Sequence, residues 1–93
     1  MTSRSVAVVN QLGMHARAAA KFVHLATRFQ SQVRVVRDGR QMDGKSIMGI
    51  LLLAAACGSM ITITADGADE HEAVAALTAL VETGFGEDPA CDA

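Results

Sequence analysis

A histidine stands where a loop gives way to a helical pattern, a position from which its side chain could carry an anion. His15 follows residues 11–14 in the segment GMHARAAAKF, which places it at the N-cap of a helix beginning at Ala16. The first backbone N–H groups of such a helix lack partners within it and form the positive end of its dipole. Because neutral imidazole is also a good nucleophile, His15 is a candidate carrier of a phosphoryl group.

A row of basic residues continues from this candidate site. Arg17, two residues further on, could donate charge-assisted hydrogen bonds to phosphoryl oxygens. The row has steps of three and four residues, hence one helical face, and consists of Arg17, Lys21, His24 and Arg28. Solvated helix faces more often mix both signs of charge, so the row favours an acidic partner; a merely solvated basic face is the alternative.

A serine marks a second candidate site. Ser46 is predicted to cap a helix over residues 47–56, where its hydroxyl, next to Lys45, is well placed to carry a phosphate. A purely structural cap is the alternative. The segment IMGILLLAAAC is apolar all round and cannot be covered fully in a chain of 93 residues. We therefore expect some of Ile47, Met48 and Leu51 to be exposed as a docking patch.

The elements that position both sites follow from periodicity and turn residues. Apolar residues alternate along strands and recur every three or four positions along helices, and Asp38-Gly39 is a pair favoured in tight hairpins. The first predicted elements are a strand at 5–10 and a helix from Ala16, whose apolar stripe consists of Ala19, Phe22, Val23, Ala26 and Phe29. Strands at 32–37 and 40–43 follow, and then the helix at 47–56, which Gly58 ends. The last elements are a strand at 60–65 and a helix that is capped by Asp69, runs to about Thr83 and ends at Gly84. This β-α-β-β-α-β-α order predicts one sheet with helices on one face.

The composition indicates one small domain with an aliphatic core. Hydrophobic residues make up 51% of the 93, with three Phe and no Trp or Tyr. We expect a single domain over residues 1–93, with its core at about 5–83 and a frayed tail at 84–93. All eight Lys and Arg lie no later than Lys45, whereas eight of the ten Asp and Glu follow it. This asymmetry favours a charged partner.

The cysteines and the hydropathy pattern bear on the compartment. Cys57 and Cys91 show neither a metal-binding spacing nor a disulfide framework, so we expect free thiols in a reducing environment. No charged leader followed by an apolar segment opens the chain, and the longest apolar run is too short to cross a bilayer. These features predict a cytoplasmic protein without membrane insertion.

Two segments carry a family resemblance. LGMHARAAAKFV around His15 and GKSIMGILLLA around Ser46 resemble the signatures of the HPr family, the histidine-containing phosphocarriers of bacterial phosphotransferase systems. The resemblance covers roughly residues 5–83. It implies an α+β fold, a two-layer open-faced β-sandwich whose four-stranded antiparallel sheet has the order 1-4-2-3, with three helices on one face. Both motifs are shared by the sugar-transport and nitrogen-regulation branches of the family.

The resemblance also implies a relay. Enzyme I, phosphorylated by phosphoenolpyruvate, would phosphorylate His15 on Nδ1, Arg17 would assist, and the group would pass to an EIIA-type domain. Ser46 resembles a regulatory serine phosphorylated by HPr kinase/phosphorylase. The chain would thus be a monomeric carrier, not an enzyme, and would need no cofactor or metal. Its predicted docking surface comprises Ala20, Lys21, His24, Thr27, Arg28, Lys45, Ile47, Met48 and Leu51. Ala18 stands where many members have Pro, which removes some rigidity from the first helical turn.

Three other functions are weaker alternatives. A regulatory binding module would act through Ser46 and the second helix, with His15 idle. Nucleic-acid binding through Arg34, Arg37 and Arg40 is disfavoured by the negative net charge and by the lack of aromatic neighbours. A metal site formed by the three histidines, His15, His24 and His71, is disfavoured because the first two lie on opposite sides of one helix.

Overall fold

Four strands and three helices make up the part of the chain that the structure, a computed structural model, describes: residues 1–86. In chain order, they are β1 (Thr2–Ala7), α1 (Ala16–Ala26), β2 (Gln32–Arg37), β3 (Arg40–Asp43), α2 (Ile47–Leu52), β4 (Met60–Asp66) and α3 (Glu70–Glu82), followed by a 3₁₀ turn at Gly84–Gly86. The predicted order of elements is confirmed.

The sheet is antiparallel, and its strand order is β1-β4-β2-β3, as predicted. The side chains of β4 alternate between the two faces of the sheet. Ile61, Ile63 and Ala65 are buried, whereas Thr62 and Thr64 lie on the outer face. The turn between β2 and β3 has φ of 50° at Asp38 and 80° at Gly39, so both central residues are left-handed, as a type I′ hairpin requires.

The three helices cover the inner face of the sheet and close one hydrophobic core. Four residues of the predicted stripe of α1 are buried: Ala19, Phe22, Val23 and Ala26. The fifth, Phe29, is partly buried and packs against the same core. The buried residues of α3 are Ala73, Val74, Leu77, Thr78 and Val81. Because one apolar stripe per helix meets one apolar sheet face, the open-faced α+β sandwich is confirmed.

Two predicted boundaries are wrong. β1 runs from Thr2 to Ala7 instead of 5–10, because residues 2–4 already pair with β4 and its ladder with β4 ends at the Ala7–Met60 pair. The second helix ends at Leu52 instead of residue 56, and Ala54 has a φ of 50°. The alanines after Leu53 favour a helix, but their backbone contacts the loop before α1 instead: the carbonyl of Ala55 accepts a hydrogen bond from the Met14 amide.

The end of the described chain is more ordered than predicted. Residues 84–86 form a turn in which Phe85 is buried, so the predicted frayed tail is wrong for these three residues. A buried aromatic ring holds this turn on the core. Residues 87–93, on which the rest of that prediction falls, lie outside the described part.

Asp69 occupies the predicted N-cap of α3, but its side chain does not cap that helix. Its carboxylate instead accepts hydrogen bonds from the amides of Gln30 and Ser31 and from the Ser31 hydroxyl. These bonds lower the pKa of Asp69, with the Ser31 hydroxyl as the largest cause. Asp69 therefore ties the start of α3 to the connection between α1 and β2.

The predicted free thiol at Cys57 is wrong, because Cys57 is disulfide-bonded. It lies half-buried in a turn after α2. Cys91 lies outside the described residues. Among residues 1–86, none of the helices combines the length and the apolar character that a membrane span requires.

Candidate functional site

His15 is the N-cap of α1, as predicted. Its backbone is extended, with φ −74° and ψ 179°, and its carbonyl accepts the first hydrogen bond of the helix from Ala19 N at 2.8 Å. The amides of Ala16, Arg17 and Ala18 precede that bond, at the positive end of the dipole. The imidazole is half-buried, with its Nε2 buried, and it makes no capping hydrogen bond to the helix.

A latch of hydrogen bonds holds the loop that presents His15. The buried Asn10 side chain donates from Nδ2 to the Gly13 carbonyl at 2.7 Å, and the Gly13 amide donates back to the Asn10 carbonyl at 3.1 Å. The Met14 amide then donates to the Ala55 carbonyl at 2.9 Å. Sequence reasoning missed this latch; an Asn three residues before a Gly was the available signal.

Gly13 is required where the latch meets the segment after α2. Its φ is 66°, in the left-handed region, and a Cβ there would lie 2.7 Å from the Ala55 oxygen and 2.9 Å from the Ala56 Cα. Only a residue without a side chain allows this approach of two backbones. The glycine therefore sets the distance between the His15 loop and the end of α2.

The members of the basic row along α1 differ in exposure. Arg17, His24 and Arg28 are exposed. Lys21 is half-buried, and its Nζ donates to the Phe85 carbonyl at 2.9 Å. Of the other predicted docking residues on this helix, Ala20 is half-buried and Thr27, at the C-cap, is exposed.

The predicted cap at Ser46 is confirmed. Its Oγ accepts a hydrogen bond from the Gly49 amide at 3.1 Å. The neighbouring Lys45 is half-buried, and its Nζ donates to the Phe29 carbonyl at 2.8 Å, which ties the start of α2 to the end of α1. Lys45 therefore already has a partner beside the serine.

The second helix exposes apolar surface, as predicted. Only Ile50 of its six residues is buried, whereas Met48 is 67% and Ile47 40% exposed. Leu51 is half-buried. Sequence reasoning missed two further exposed leucines, Leu52 in the same helix and Leu12 in the His15 loop. A helix that is apolar all round hides which leucine faces outward, so only the packing could reveal Leu52.

Two arginines of the β2–β3 hairpin close the other end of α2. The Arg37 guanidinium donates to the Leu53 carbonyl at 2.9 Å, and Arg40 lies 3.5 Å from the Leu52 carbonyl. Cations at a helix C-terminus stabilise its last carbonyls. This structural role accounts for two of the three arginines considered above for nucleic-acid binding.

The three histidines are not brought together into a metal site. Within residues 1–86, no group of three or more His, Cys, Asp and Glu side chains has metal-binding geometry. His71 lies in the first turn of α3, where its Nδ1 is 3.1 Å from the Thr2 hydroxyl.

Beside His71, Glu70 accepts hydrogen bonds from the Thr2 hydroxyl and the Gly67 amide and contacts the chain's ammonium group. These contacts, the Thr2 hydroxyl first, lower the pKa of Glu70 to about 2.

Known proteins match this chain over nearly its whole length. The family described as "PTS HPr component phosphorylation site" matches residues 2–83. The phosphocarrier protein HPr of Cupriavidus necator is 53% identical over 87 residues, which cover 94% of this chain and 98% of that protein. The chain therefore belongs to the HPr family, the phosphocarrier proteins of the phosphotransferase system.

Solved structures agree with this assignment. The crystal structure of HPr-C-His from Thermoanaerobacter tengcongensis has a TM-score of 0.92 and 42% identity, over 96% of this chain and 100% of that chain. A crystal structure of an HPr dimer from the same organism has a TM-score of 0.75 and 42% identity, over 94% and 100% of the two chains. Since similar structures include a dimer, the monomeric state stays a prediction.

Proposed function

We propose that His15 accepts a phosphoryl group from phosphorylated Enzyme I and passes it to an EIIA-type domain. In the first step, His15 Nδ1 attacks the phosphorus, the new P–N bond forms, and the bond to Enzyme I breaks. In the second step, the acceptor's nucleophile takes the same group and His15 is restored. Phosphoenolpyruvate is the upstream donor, and the chain itself is a carrier that needs no cofactor or metal.

The observation that carries this proposal is the place of His15 at the N-cap of α1. A phosphoryl group on its imidazole would lie near the amides that precede the Ala19–His15 hydrogen bond, where the helix dipole favours negative charge. Arg17 is exposed two residues on, and we assign it the role of donating to the phosphoryl oxygens. Ala18 is buried in the same turn, in place of a proline.

Exposed apolar side chains in the His15 loop and on α2 support a protein partner. Leu12 of the His15 loop is 65% exposed, and Met48 of α2 adds a second exposed apolar side chain. Exposed apolar residues with a basic row beside them suit an acidic partner with an apolar centre. We propose that Enzyme I and the acceptor dock on this surface in the cytoplasm.

We further propose that Ser46 is a regulatory phosphorylation site for an HPr kinase/phosphorylase. Its hydroxyl caps α2, so a phosphate there would lie at a helix N-terminus that tolerates negative charge. Added negative charge beside the docking surface would weaken association with an acidic partner.

The direct test follows the phosphoryl group through both steps. The chain is incubated with Enzyme I and phosphoenolpyruvate, desalted, and mixed with an EIIA-type domain. We expect one phosphoryl group per chain after the first step and its transfer after the second. Labelling of the chain without transfer to any EIIA-type domain of the same cell would overturn the relay.

A regulatory binding module that acts through Ser46 and α2 is the second candidate. The observation that favours it is the exposed apolar surface next to a capping serine. Under this alternative, a cognate kinase would phosphorylate Ser46 while Enzyme I left His15 unlabelled. The same incubation therefore separates the two functions.

A further inference from the structure

Cys57 is disulfide-bonded in a turn whose backbone is held independently of its sulfur. The Gly58 amide donates to the Val8 carbonyl at 2.8 Å, and the Ser59 amide donates to the Ala56 carbonyl at 2.9 Å. Because these hydrogen bonds lie on both sides of the cysteine, they keep the turn closed whether or not the disulfide is present. The phosphoryl relay makes no use of this sulfur.

The disulfide is open to attack by a thiol from solution. Cys57 is half-buried, and both of its neighbours in the chain, Ala56 and Gly58, are exposed. Around Gly58 the space is empty, since a Cβ there would have no atom within 4 Å. In the cytoplasm, where we place this chain, protein disulfides are rare and are usually transient, catalytic or redox-sensing. The accessibility of Cys57 therefore favours a reversible bond over a permanent structural one.

We propose that Cys57 and Cys91 form a reversible disulfide that slows the acceptance of a phosphoryl group by His15. Cys91 is the one other cysteine of the sequence. The reductant is a low-molecular-weight thiol of the glutathione class. One such thiolate attacks a sulfur of the disulfide, the S–S bond breaks and a mixed disulfide forms; a second thiol then displaces the cysteine. Both cysteines end as thiols, each with one proton, and the two reductant molecules leave joined by an S–S bond.

The segment that this disulfide would close is attached beside the loop before α1 at both ends. A Cβ on Gly84 would lie 3.3 Å from the Asn10 Cβ, and a Cβ on Gly13 would lie 2.9 Å from the Ala56 Cα. Asn10 and Gly13 are the two residues of the latch that holds this loop. Whatever path residues 87–91 take, five residues span at most ~17 Å. The closed segment therefore stays close to the latch.

The sequence of this segment is acidic. It contributes Glu87 and Asp88, Asp92 follows Cys91, and residues 87–93 contain no Lys or Arg. The closed disulfide would keep these carboxylates at high effective concentration near the exposed Arg17 and the basic row of α1. There they would repel an incoming phosphoryl group and compete with an acidic partner. Reduction leaves the segment attached at one end only, so the competition weakens.

The test compares oxidised and reduced full-length chain and rests on the proposed relay. The chain is treated with oxidised glutathione or with dithiothreitol and desalted, and the initial rate of labelling by Enzyme I and phosphoenolpyruvate is measured. The loss of two hydrogen atoms in the intact mass identifies the oxidised form. We expect the reduced chain to be labelled about fivefold faster, and both forms to reach one phosphoryl group per chain.

Matched variants separate the disulfide from the charge it brings. Cys91→Ser cannot form the bond, and we expect it to be labelled at the reduced rate after either treatment. Cys57→Ser should behave in the same way, and circular dichroism verifies that both variants fold. A double variant with Glu87→Gln and Asp88→Asn keeps both cysteines but loses two charges, so most of the difference between its oxidised and reduced rates should disappear.

Four outcomes would overturn the inference. Oxidised and reduced wild type could be labelled at the same rate, Cys91→Ser could still respond to oxidation, oxidation could join two chains instead of closing one, or the double variant could keep the full rate difference. If wild type is labelled while any of these holds, only the disulfide proposal fails. If neither form of the wild type is labelled at all, the relay fails and the disulfide proposal fails with it.

Discussion

The amide of Met14 donates a hydrogen bond to the carbonyl of Ala55 at 2.9 Å, and this bond joins the loop before α1 to the segment after α2. The residue that follows Met14 is His15, so the contact determines where the imidazole stands relative to the second helix. α2 has ended before this contact, because Ala54 has a left-handed backbone with a φ of 50° that breaks the helix. The bond therefore holds the His15 loop at the end of α2 that lies opposite the Ser46 cap.

Gly13→Ala should disrupt this contact. The added Cβ would lie 2.7 Å from the Ala55 oxygen, and a φ of 66° strains alanine. We expect a loss of about 3 kcal/mol in the free energy of unfolding by urea titration, together with slower labelling by Enzyme I. Gly58→Ala is the matched control, because its φ is 89° but nothing lies within 4 Å. Equal losses for the two variants would contradict the role of the close approach.

Replacements of Ser46 separate its capping role from added charge. Ser46→Ala removes the acceptor of the Gly49 amide and should lower the free energy of unfolding by about 1 kcal/mol. Ser46→Asp keeps a good N-cap acceptor and should leave stability nearly unchanged while weakening association with Enzyme I. The checks are urea titration and calorimetric binding; an Asp variant that binds as tightly as wild type would argue against the regulatory role.

Thr78→Val should stabilise the fold. The Thr78 hydroxyl is buried in α3 and has no hydrogen-bond partner within residues 1–86. Valine has nearly the same shape and removes the unsatisfied group, so we expect a gain of about 1 kcal/mol by urea titration. Thr83→Val is the control, since the Thr83 hydroxyl is exposed and donates to the Leu80 carbonyl. A destabilised Thr78→Val variant would show that the hydroxyl has a compensating contact.

Stability should fall in acid through Glu70. Its pKa is lowered from 4.5 to about 2 by the Thr2 hydroxyl, the chain's ammonium group and the Gly67 amide. Because the folded state favours the carboxylate, this contribution is complete above pH 4.5 and is lost as the pH falls toward 2. Asp69, whose pKa is also lowered, acts in the same direction.

Glu70→Gln checks this account, since glutamine cannot titrate. Between pH 5 and 2, the free energy of unfolding of the variant should fall less than that of the wild type. The difference between the two is the contribution of the Glu70 carboxylate. Glu72→Gln, two positions along the same helix and exposed, is the control. Identical pH dependence in wild type and Glu70→Gln would contradict the assignment.

Most elements were predictable because local chemistry determines them. The stripe of α1, the Asp38-Gly39 turn and the Ser46 cap each depend on neighbours in sequence, and all three are confirmed. The strand order came from the family resemblance, because alternation shows which residues face inward but not which strands pair.

The errors arise where distant contacts override local preference. Residues 53–56 have helix-forming side chains, yet the Met14 amide takes the Ala55 carbonyl. Asp69 is a good N-cap residue, yet its carboxylate binds the connection after α1. Both partners lie more than thirty residues away in sequence, beyond what periodicity can read.

The positions of the two candidate site residues were predictable, but the hydrogen bonds of the lysines near them were not. His15 at a helix N-cap and Ser46 at the next helix follow from sequence and resemblance. The hydrogen bonds from Lys21 to the Phe85 carbonyl and from Lys45 to the Phe29 carbonyl do not, because each acceptor is a backbone carbonyl at least 16 residues away in sequence.

Replacing each histidine in turn shows which of the three carries the phosphoryl group. Wild type, His15→Ala, His24→Ala and His71→Ala are incubated with Enzyme I and phosphoenolpyruvate, and acid-labile phosphate is measured by mass spectrometry of the intact chain. We expect one phosphoryl group on wild type and on the His24 and His71 variants, and none on His15→Ala. A His15→Ala chain that still carries phosphohistidine would contradict this expectation.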